Sequence, residues 1–146
     1  MPRQTPEFQR LFTLDEANAM LPLVRAIVTD LQQLTRDIVD RRERLAMLRG
    51  DRDPQRNDLY SEELSQVEDE LEKDARQIRA YVEELLELGV EPKDGLEGLV
   101  DFPCQMDGRV VYLCWKLGES EVQYWHDLDA GFAGRQSLTV TSGDKA

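Results

Sequence analysis

The sequence is poor in several features that define functional classes, beginning with cysteine and long apolar runs. Its 146 residues include only 2 Cys, too few for the disulfide framework of a small secreted protein. No stretch approaches the ~20 consecutive apolar residues that span a bilayer, and the opening residues lack the apolar core of a secretory signal. We therefore predict a cytoplasmic protein with reduced thiols and no membrane segment.

Basic residues are also scarce. The chain carries 18 Lys and Arg against 30 Asp and Glu, which gives a formal net charge of −12 at pH 7. Nucleic-acid binding depends on neutralising phosphates with Lys and Arg, and anionic membranes attract the same residues. Because this acidic chain has no basic stripe, we predict neither a nucleic-acid partner nor a membrane partner.

Motifs that carry chemistry are missing as well. The sequence contains no P-loop, no GxGxxG following a strand, no serine nucleophile elbow and no HxH, HExxH or CxxC spacing. The residues therefore name no cofactor, and whether the chain is an enzyme stays open.

Two long segments with helical periodicity make up most of the N-terminal part of the chain. In the first, over 14–49, apolar residues recur with heptad spacing, and Thr13 with Glu16 forms a capping box at its start. Pro22 removes one helical hydrogen bond and should break or kink the helix, so we expect a short helix over 14–20 and a long one from about Pro22 to Arg49. The second helix is predicted over 58–88.

A short polar segment containing Pro54 joins these helices, which favours an antiparallel hairpin of coiled-coil type. Gly89 follows the second helix as a left-handed cap. The apolar seams include two charged residues, Arg41 and Asp74, which we expect at the seam edge, reaching water and not pairing with each other. Since a two-helix hairpin cannot shelter its own core, a homodimer or higher homo-oligomer formed through the helices is predicted.

After Pro92 the pattern changes to the alternation of a β-sheet. Asp107-Gly108 and Gly118-Glu119 are signals for tight hairpin turns. They predict three antiparallel strands, at Leu99–Phe102 (ended by Pro103), Arg109–Trp115 and Val122–His126.

These elements define the fold class as α+β, a long antiparallel helical hairpin with a small three-stranded antiparallel β-meander. We expect a single domain over 1–146, in which 98–138 holds the meander and a Gly/Arg loop. Residues 139–146 read as a disordered polar tail.

Strand alternation separates the two cysteines. A two-residue turn at Asp107-Gly108 places Cys104 and Cys114 on opposite faces of the hairpin, so neither a disulfide nor a shared metal is expected. Cys114 is interpreted as a small buried apolar residue. A two-residue second turn would pair three residues of one strand with three of the next: Trp115 with Val122, Leu113 with Tyr124, and Val111 with His126.

The strongest functional signal is the span from Trp125 to Arg135. His126, the only histidine, stands at a strand end beside a glycine-rich loop, and Gly131 and Gly134 allow backbone amides to approach an anion that Arg135 could clamp. We predict Trp125, His126, Gly131, Gly134 and Arg135 as ligand-binding residues of a binding or assembly module for a small anion or a partner protein. Purely structural roles remain open: His126 bonded to a backbone carbonyl, and Arg135 paired with Asp127, Asp129 or Asp101.

The alternative is a small enzyme. Here His126 is a general acid/base, Arg135 an anion clamp and Asp127 an orienting carboxylate. No metal site is predicted, because no ligand spacing supports one. If a divalent ion were bound, His126 with Glu119 or Asp129 would be the residues to hold it.

Four stretches of the sequence resemble one known family. They are FTLDEANAMLPLV, GLVDFP, GRVVYLCWKLGE and YWHDLDAGFAGR, and they extend from Phe12 to about Leu138. The chain resembles a bacterial family catalogued as domain of unknown function 2203. This resemblance supports one domain over nearly the whole chain, and it implies no particular activity, cofactor or catalytic residue.

Overall fold

The computed structural model describes residues 8–50 and 58–138. The predicted tail at 139–146 and most of the polar connection between the helices lie outside the described residues. Two helices are followed by a five-stranded antiparallel sheet, so the predicted α+β class and helical hairpin are confirmed. Neither described helix carries an apolar stretch long enough to cross a membrane.

Helix α1 (Leu14–Gly50) begins at the predicted capping box. The Thr13 amide donates to the Glu16 carboxylate at 2.9 Å, and the Glu16 amide donates to the Thr13 hydroxyl at 3.1 Å. The predicted break at Pro22 is wrong, because the helix continues through it. An internal proline costs about 3 kcal/mol, whereas burying one Val or Leu side chain gains about 1.5–3 kcal/mol. Residues on both sides of the exposed Pro22 are buried in one stripe: Ala17, Leu21, Val24 and Val28.

Helix α2 spans Asp58–Glu87. Gly89, with a φ of 86°, is the left-handed cap that follows it, as predicted. The Gly89 amide donates to the Leu86 carbonyl and the Val90 amide to the Leu85 carbonyl, each at 2.9 Å. This pair of hydrogen bonds is the Schellman motif, which turns the chain out of the helix and into the sheet.

Arg41 and Asp74 join the two helices, contrary to the prediction that they are not partners. The Arg41 guanidinium donates to the Asp74 carboxylate at 2.5 Å and also contacts Glu70 at 3.3 Å. The prediction assumed that Leu45 and Leu64 face each other across the connection. Arg41 reaches further along α2 than that register allows, because its long side chain spans a helical turn and Asp74 is buried where the two seams meet.

The sheet has the strand order β1-β2-β3-β4-β5. Its strands are β1 (Glu91–Asp94), β2 (Leu99–Met106), β3 (Arg109–Lys116), β4 (Tyr124–His126) and β5 (Gln136–Ser137). The three predicted strands are present as β2, β3 and a shorter β4, and the two edge strands were not predicted. A 3₁₀ turn over Phe132–Gly134 precedes β5.

The first hairpin turn is as predicted, but the predicted end of its first strand is wrong. Asp107 and Gly108 both have positive φ (51° and 82°) and join Met106 to its partner Arg109. β2 continues through Pro103. The pairing of β1 with β2 extends only to Asp101, so no neighbouring strand on that side needs an amide donor from Pro103. The Pro103 carbonyl on that side accepts a hydrogen bond from the Phe12 amide at 2.6 Å.

The predicted register between β3 and β4 is wrong by one residue. His126 pairs with Tyr112 and not with the expected Val111, and Leu113 pairs with Trp125 and not with the expected Tyr124. The connection from β3 to β4 is longer than a two-residue turn, and Val122 leaves the ladder to bond its amide to the Asn18 side chain at 2.7 Å. A shift of one residue moves every side chain of a strand to the opposite face. His126 therefore lies on the same face as Cys114.

One face of the sheet packs against the first half of α1 and the end of α2. Trp115, Phe102, Val111 and Leu85 are completely buried there, at 0% exposure. The buried residues of α1 all lie between Ala17 and Leu31, so the second half of the helical hairpin extends beyond the sheet and packs on itself. The other face of the sheet holds the functional candidates.

Candidate functional site

Three buried side chains of different chemistry meet on the second face of the sheet. Asp101 on β2 pairs directly with Cys114 on β3. His126 on β4 lies beside them on the same face, opposite Tyr112, which is two residues from Cys114 along β3. Asp101, Cys114 and His126 are 3%, 1% and 2% exposed, respectively. One ligand atom from each lies within 4.8 Å of those from the other two. Adjacent strands in fixed register therefore hold a carboxylate, a thiol and an imidazole together.

Both ring nitrogens of His126 have partners. Nε2 lies 3.1 Å and 3.0 Å from the two carboxylate oxygens of Asp101, and Nδ1 lies 2.7 Å from the Asp127 carbonyl. A carbonyl oxygen only accepts hydrogen bonds, so Nδ1 carries a proton. The predicted structural role, a buried histidine bonded to a backbone carbonyl, is present in this contact, but the Asp101 carboxylate was not predicted beside it.

Burial also governs the acid–base properties of the cluster. It raises the pKa of Asp101 above its ordinary value, and the neighbouring His126 opposes that shift. Burial, aided by the nearby Asp101 carboxylate, raises the pKa of Cys114 to about 12. Cys114 is thus a protonated thiol at neutral pH. Its burial was predicted, but its surroundings are polar and not apolar.

The cluster forms the floor of a cavity of about 210 Å³. The loop after β4 builds part of the wall, together with residues of β1, β2 and β3. Around the cluster, the cavity is lined by Lys93, Leu99, Tyr112, Leu128, Asp129, Gly131 and Phe132. Mixed apolar and ionisable walls above a polar floor are typical of sites for small ligands.

Tyr112 links the cluster to the edge of the sheet. Its hydroxyl donates to the Glu91 carboxylate, with oxygen separations of 2.9 Å and 3.0 Å, and its ring lies 5.5 Å from that of His126. Lys93 sits over the Tyr112 ring at 4.7 Å and pairs with Glu91 at 2.9 Å. Burial and the bonded carboxylate raise the pKa of Tyr112 well above its ordinary value, so the hydroxyl stays protonated. A cation and a hydroxyl oxygen, whose proton is given to Glu91, therefore stand beside the cavity.

The glycines of the loop have different roles. Gly131 lines the cavity with a φ of 67°, a conformation that side-chain-bearing residues rarely adopt. Gly134 is not among the residues that line the cavity. A Cβ there would lie 2.7 Å from the Ala130 side chain, so its place in the 3₁₀ turn requires a glycine for packing.

Arg135 is not itself a lining residue of the cavity, although it contacts Cys114, which is. Its guanidinium donates to Glu119 at 2.9 Å and to the Cys114 carbonyl at 3.4 Å, and it stacks on Tyr124 at 3.8 Å. Its partner is thus Glu119 and not Asp127, Asp129 or Asp101, the three considered from the sequence. This arrangement fixes the loop to β3 and β4 through Nη2 of Arg135, while Nε is buried without a hydrogen-bond partner among the described residues.

The remaining predicted residues separate into two groups. Asp129 lines the cavity with His126, whereas Glu119 accepts from the Lys116 amide at 2.8 Å and from Arg135. Asp127 gives its carbonyl to His126 and its carboxylate to Arg109. Trp125 belongs to the core on the opposite face of the sheet. The structure therefore brings His126, Asp129 and Gly131 to one site and directs the others elsewhere.

Asp101 and Tyr112 are cavity residues that the sequence prediction missed. A signal for one of them was present, because counting back from a two-residue turn at Asp107-Gly108 places Asp101 opposite Cys114. The position of Tyr112 beside His126 depends on the β3–β4 register, which was predicted from a two-residue turn that the structure does not have.

Comparison with known proteins identifies a family and nothing closer. The model of an uncharacterized conserved protein family, DUF2203, matches residues 10–138. No curated protein matches the chain. No solved structure matches it either.

Proposed function

The chain belongs to the uncharacterized conserved family DUF2203, and we propose that it is a binding module whose cavity holds a small polar ligand against His126 and Asp101. The observation that carries this proposal is the buried carboxylate–imidazole pair at the floor of a cavity. A cytoplasmic location belongs to the same proposal, since both cysteines are free thiols.

The energetics of burial support a functional origin for the pair. Removing two ionisable groups from water costs several kcal/mol each, and apolar residues of similar volume usually stabilise a protein as well or better. The opposite face of the same strands shows that this sheet packs well with apolar residues alone. Ionisable groups that are buried in a concave site and perturbed by each other are typical of binding or catalytic centres.

The lining residues indicate which ligands fit. Lys93 supplies a positive donor group, the Tyr112 hydroxyl oxygen and Asp129 supply acceptors, and Leu99 and Leu128 supply apolar walls. A small ligand with both a polar and an apolar side matches this lining. Arg135 supports such a ligand indirectly, by anchoring the loop that carries Leu128 and Gly131.

The enzyme alternative has less support from this geometry. A general acid/base needs a ring nitrogen within hydrogen-bond reach of the substrate, and both nitrogens of His126 already have protein partners at 2.7–3.1 Å. Arg135 is likewise bonded to Glu119. Catalysis by His126 would require the Asp101 contact to open first.

We test the binding proposal with amide NMR spectra of the full chain in a metal chelator, recorded while acetate, phosphate, imidazole, methylamine and acetamide are added. At least one probe is expected to shift the amides of Leu99, Leu128 and Gly131 in a saturable manner. The matched variant Leu128→Trp fills the cavity and is expected to abolish the shifts, while Leu96→Trp, an exposed position of the β1–β2 turn, retains them. Absence of saturable shifts at all three amides, or shifts that survive Leu128→Trp, contradicts the proposal.

Self-association is a second part of the proposal, carried by the helical hairpin beyond the sheet. There the seam residues Leu34, Ile38, Leu45 and Leu64 are only half-buried, and large apolar side chains are exposed, with Met47 at 74% and Leu59 at 84%. A second copy of the hairpin, packed as in a coiled coil, would cover this surface.

Sedimentation equilibrium tests the assembly. The wild-type chain is expected to dimerise or form a larger oligomer, and Met47→Glu with Leu59→Glu is expected to shift it to monomer. Leu96→Glu provides the control, since it places the same charge on an exposed leucine of the sheet region (44% exposed). A strict monomer at the highest concentration reached contradicts self-association and leaves the cavity proposal untouched.

A further inference from the structure

We propose that Asp101, Cys114 and His126 hold a divalent transition-metal ion, with Zn²⁺ as the best match. The inference rests on the binding function proposed above, because it names the class of ligand that the floor of the same cavity takes.

The first argument is convergence. An oxygen, a sulfur and a nitrogen ligand atom lie within 4.8 Å of one another on three neighbouring strands. In the described parts of the chain, 8–50 and 58–138, this is the one group of three or more His, Cys, Asp and Glu side chains so arranged. Strands hold such atoms more rigidly than loops do, which favours a site of defined geometry.

The second argument concerns the proton on His126. Because Nδ1 donates to the Asp127 carbonyl at 2.7 Å, a neutral imidazole turns the lone pair of Nε2 toward the Asp101 carboxylate, 3.0 Å and 3.1 Å away. Two acceptors in contact require an electropositive species beside them, either a proton or a metal ion. A ligating histidine is typically oriented by a bond from its other nitrogen to a carbonyl or carboxylate, which is the role the Asp127 carbonyl fills.

The third argument is the match of ligand types and distances. Zn²⁺ binds thiolate, imidazole and carboxylate at about 2.0–2.3 Å, which separates a nitrogen and an oxygen ligand of one tetrahedral ion by roughly 3.3 Å. The 3.0–3.1 Å between Nε2 and the Asp101 oxygens is close to that separation. Mg²⁺ and Ca²⁺ prefer oxygen ligands alone, so the sulfur of Cys114 disfavours them.

Three protein ligands leave one tetrahedral position for water or a small molecule, as in catalytic zinc sites. The cavity above the cluster supplies the space, and Lys93 and Asp129 in its walls can bond to whatever occupies that position. Metal binding breaks the S–H bond of Cys114, forms the metal–sulfur bond and releases the proton to solvent. Any proton shared by Nε2 and Asp101 leaves by the same route, so no oxidant or reductant is required.

Cobalt spectroscopy on the full chain, free of affinity tags and stripped by a chelator, tests the site. Co²⁺ is expected to produce a thiolate-to-cobalt charge-transfer band that saturates at one ion per chain, with the visible bands of four-coordinate cobalt. Zn²⁺ is expected to displace it. Circular dichroism establishes that the stripped protein is folded. A folded chain that shows no charge-transfer band in excess Co²⁺ overturns the inference without any variant.

The two cysteines provide matched variants. Cys114→Ala is expected to abolish the charge-transfer band and weaken Zn²⁺ binding by more than about 100-fold, beyond the effect typical of residues that only support a ligand. Cys104→Ala removes the other buried thiol, which belongs to the core of the opposite face, and should leave the band and the affinity unchanged. An unchanged affinity in Cys114→Ala, or a band that depends on Cys104, overturns the assignment.

The two proposals fail in different ways. If at least one of the small probes binds in the presence of the chelator but Co²⁺ produces no band, the metal inference is wrong and the binding module stands. If Co²⁺ binds through Cys114 while none of the organic probes binds, the metal site stands and the cavity takes no small organic ligand of the classes tested.

Discussion

Leu113 and Trp115 face the helices on strand β3, whereas Tyr112 and Cys114 on the same strand face the cavity. All four are at most 8% exposed. One face is apolar and covered by helices, and the other is polar and covered by a loop. Burial therefore has two forms in this sheet: the first face is buried as part of the core, and the second is buried around the cavity that we propose as a binding site.

The largest expected effect lies on the apolar face. Trp115→Ala removes a side chain with 0% exposure, whose indole also donates to the Glu119 carbonyl at 3.0 Å. Such a truncation costs about 3–5 kcal/mol of unfolding free energy, measured by urea denaturation. The matched change is Lys116→Ala, on the next residue and the opposite face. Its ion pair with Glu97 is partly exposed, so a loss below about 1 kcal/mol is expected. Equal losses would break the comparison.

A smaller effect is expected from breaking the buried pair on the polar face. Asp101→Ala leaves Nε2 of His126 without its hydrogen-bond partner, and removing one member of a buried pair of ionisable groups typically costs about 3 kcal/mol. The measurement is urea denaturation in a metal chelator, so that loss of a bound ion does not contribute.

The double variant Asp101→Val/His126→Leu sharpens this result. With both ionisable groups replaced by apolar ones, stability should recover to within about 1 kcal/mol of wild type or exceed it. Cobalt and small-ligand binding should nevertheless be lost. A double variant as unstable as Asp101→Ala would indicate that the pair serves the fold, and that the two faces do not differ in purpose.

The apolar face and the helices could be predicted from the sequence, because their signals are local. The heptad seams, the Thr13–Glu16 capping box and Gly89 each depend on residues a few positions apart. The type of each main element therefore followed from periodicity and capping alone. Continuity through Pro22 did not follow, since it depends on packing against a sheet far away in the sequence.

The polar face could be predicted only in part, because its assembly depends on register. The sequence located His126 at a strand end, but the Asn18 side chain holds Val122 out of the ladder from a position 104 residues away. No sequence pattern near Gly118-Glu119 indicates the contact between Val122 and Asn18. The resulting shift of one residue moved His126 from the face of Val111 to that of Cys114. Arg135 was expected in the site because of the glycines beside it, but its guanidinium bonds to Glu119, 16 residues earlier in the chain.

The smallest expected effect comes from the Tyr112 hydroxyl, at the edge of the polar face. Tyr112→Phe removes its hydrogen bond to Glu91, and Glu91 remains partly exposed to water, so a loss of about 1 kcal/mol is expected.

Burial and Glu91 raise the pKa of Tyr112 in the folded protein. The unfolded chain therefore releases this proton first, and wild-type stability should fall as pH rises above about 10, the ordinary pKa of tyrosine. That loss should be smaller in Tyr112→Phe. Glu91→Gln keeps an acceptor but removes the charge, so its pH profile should lie between the two, because burial is the larger cause of the shift. Urea denaturation between neutral pH and pH 11 gives all three profiles. If wild type and Tyr112→Phe lose stability in parallel over that range, burial and Glu91 do not keep the Tyr112 hydroxyl protonated in the folded protein, which contradicts the raised pKa.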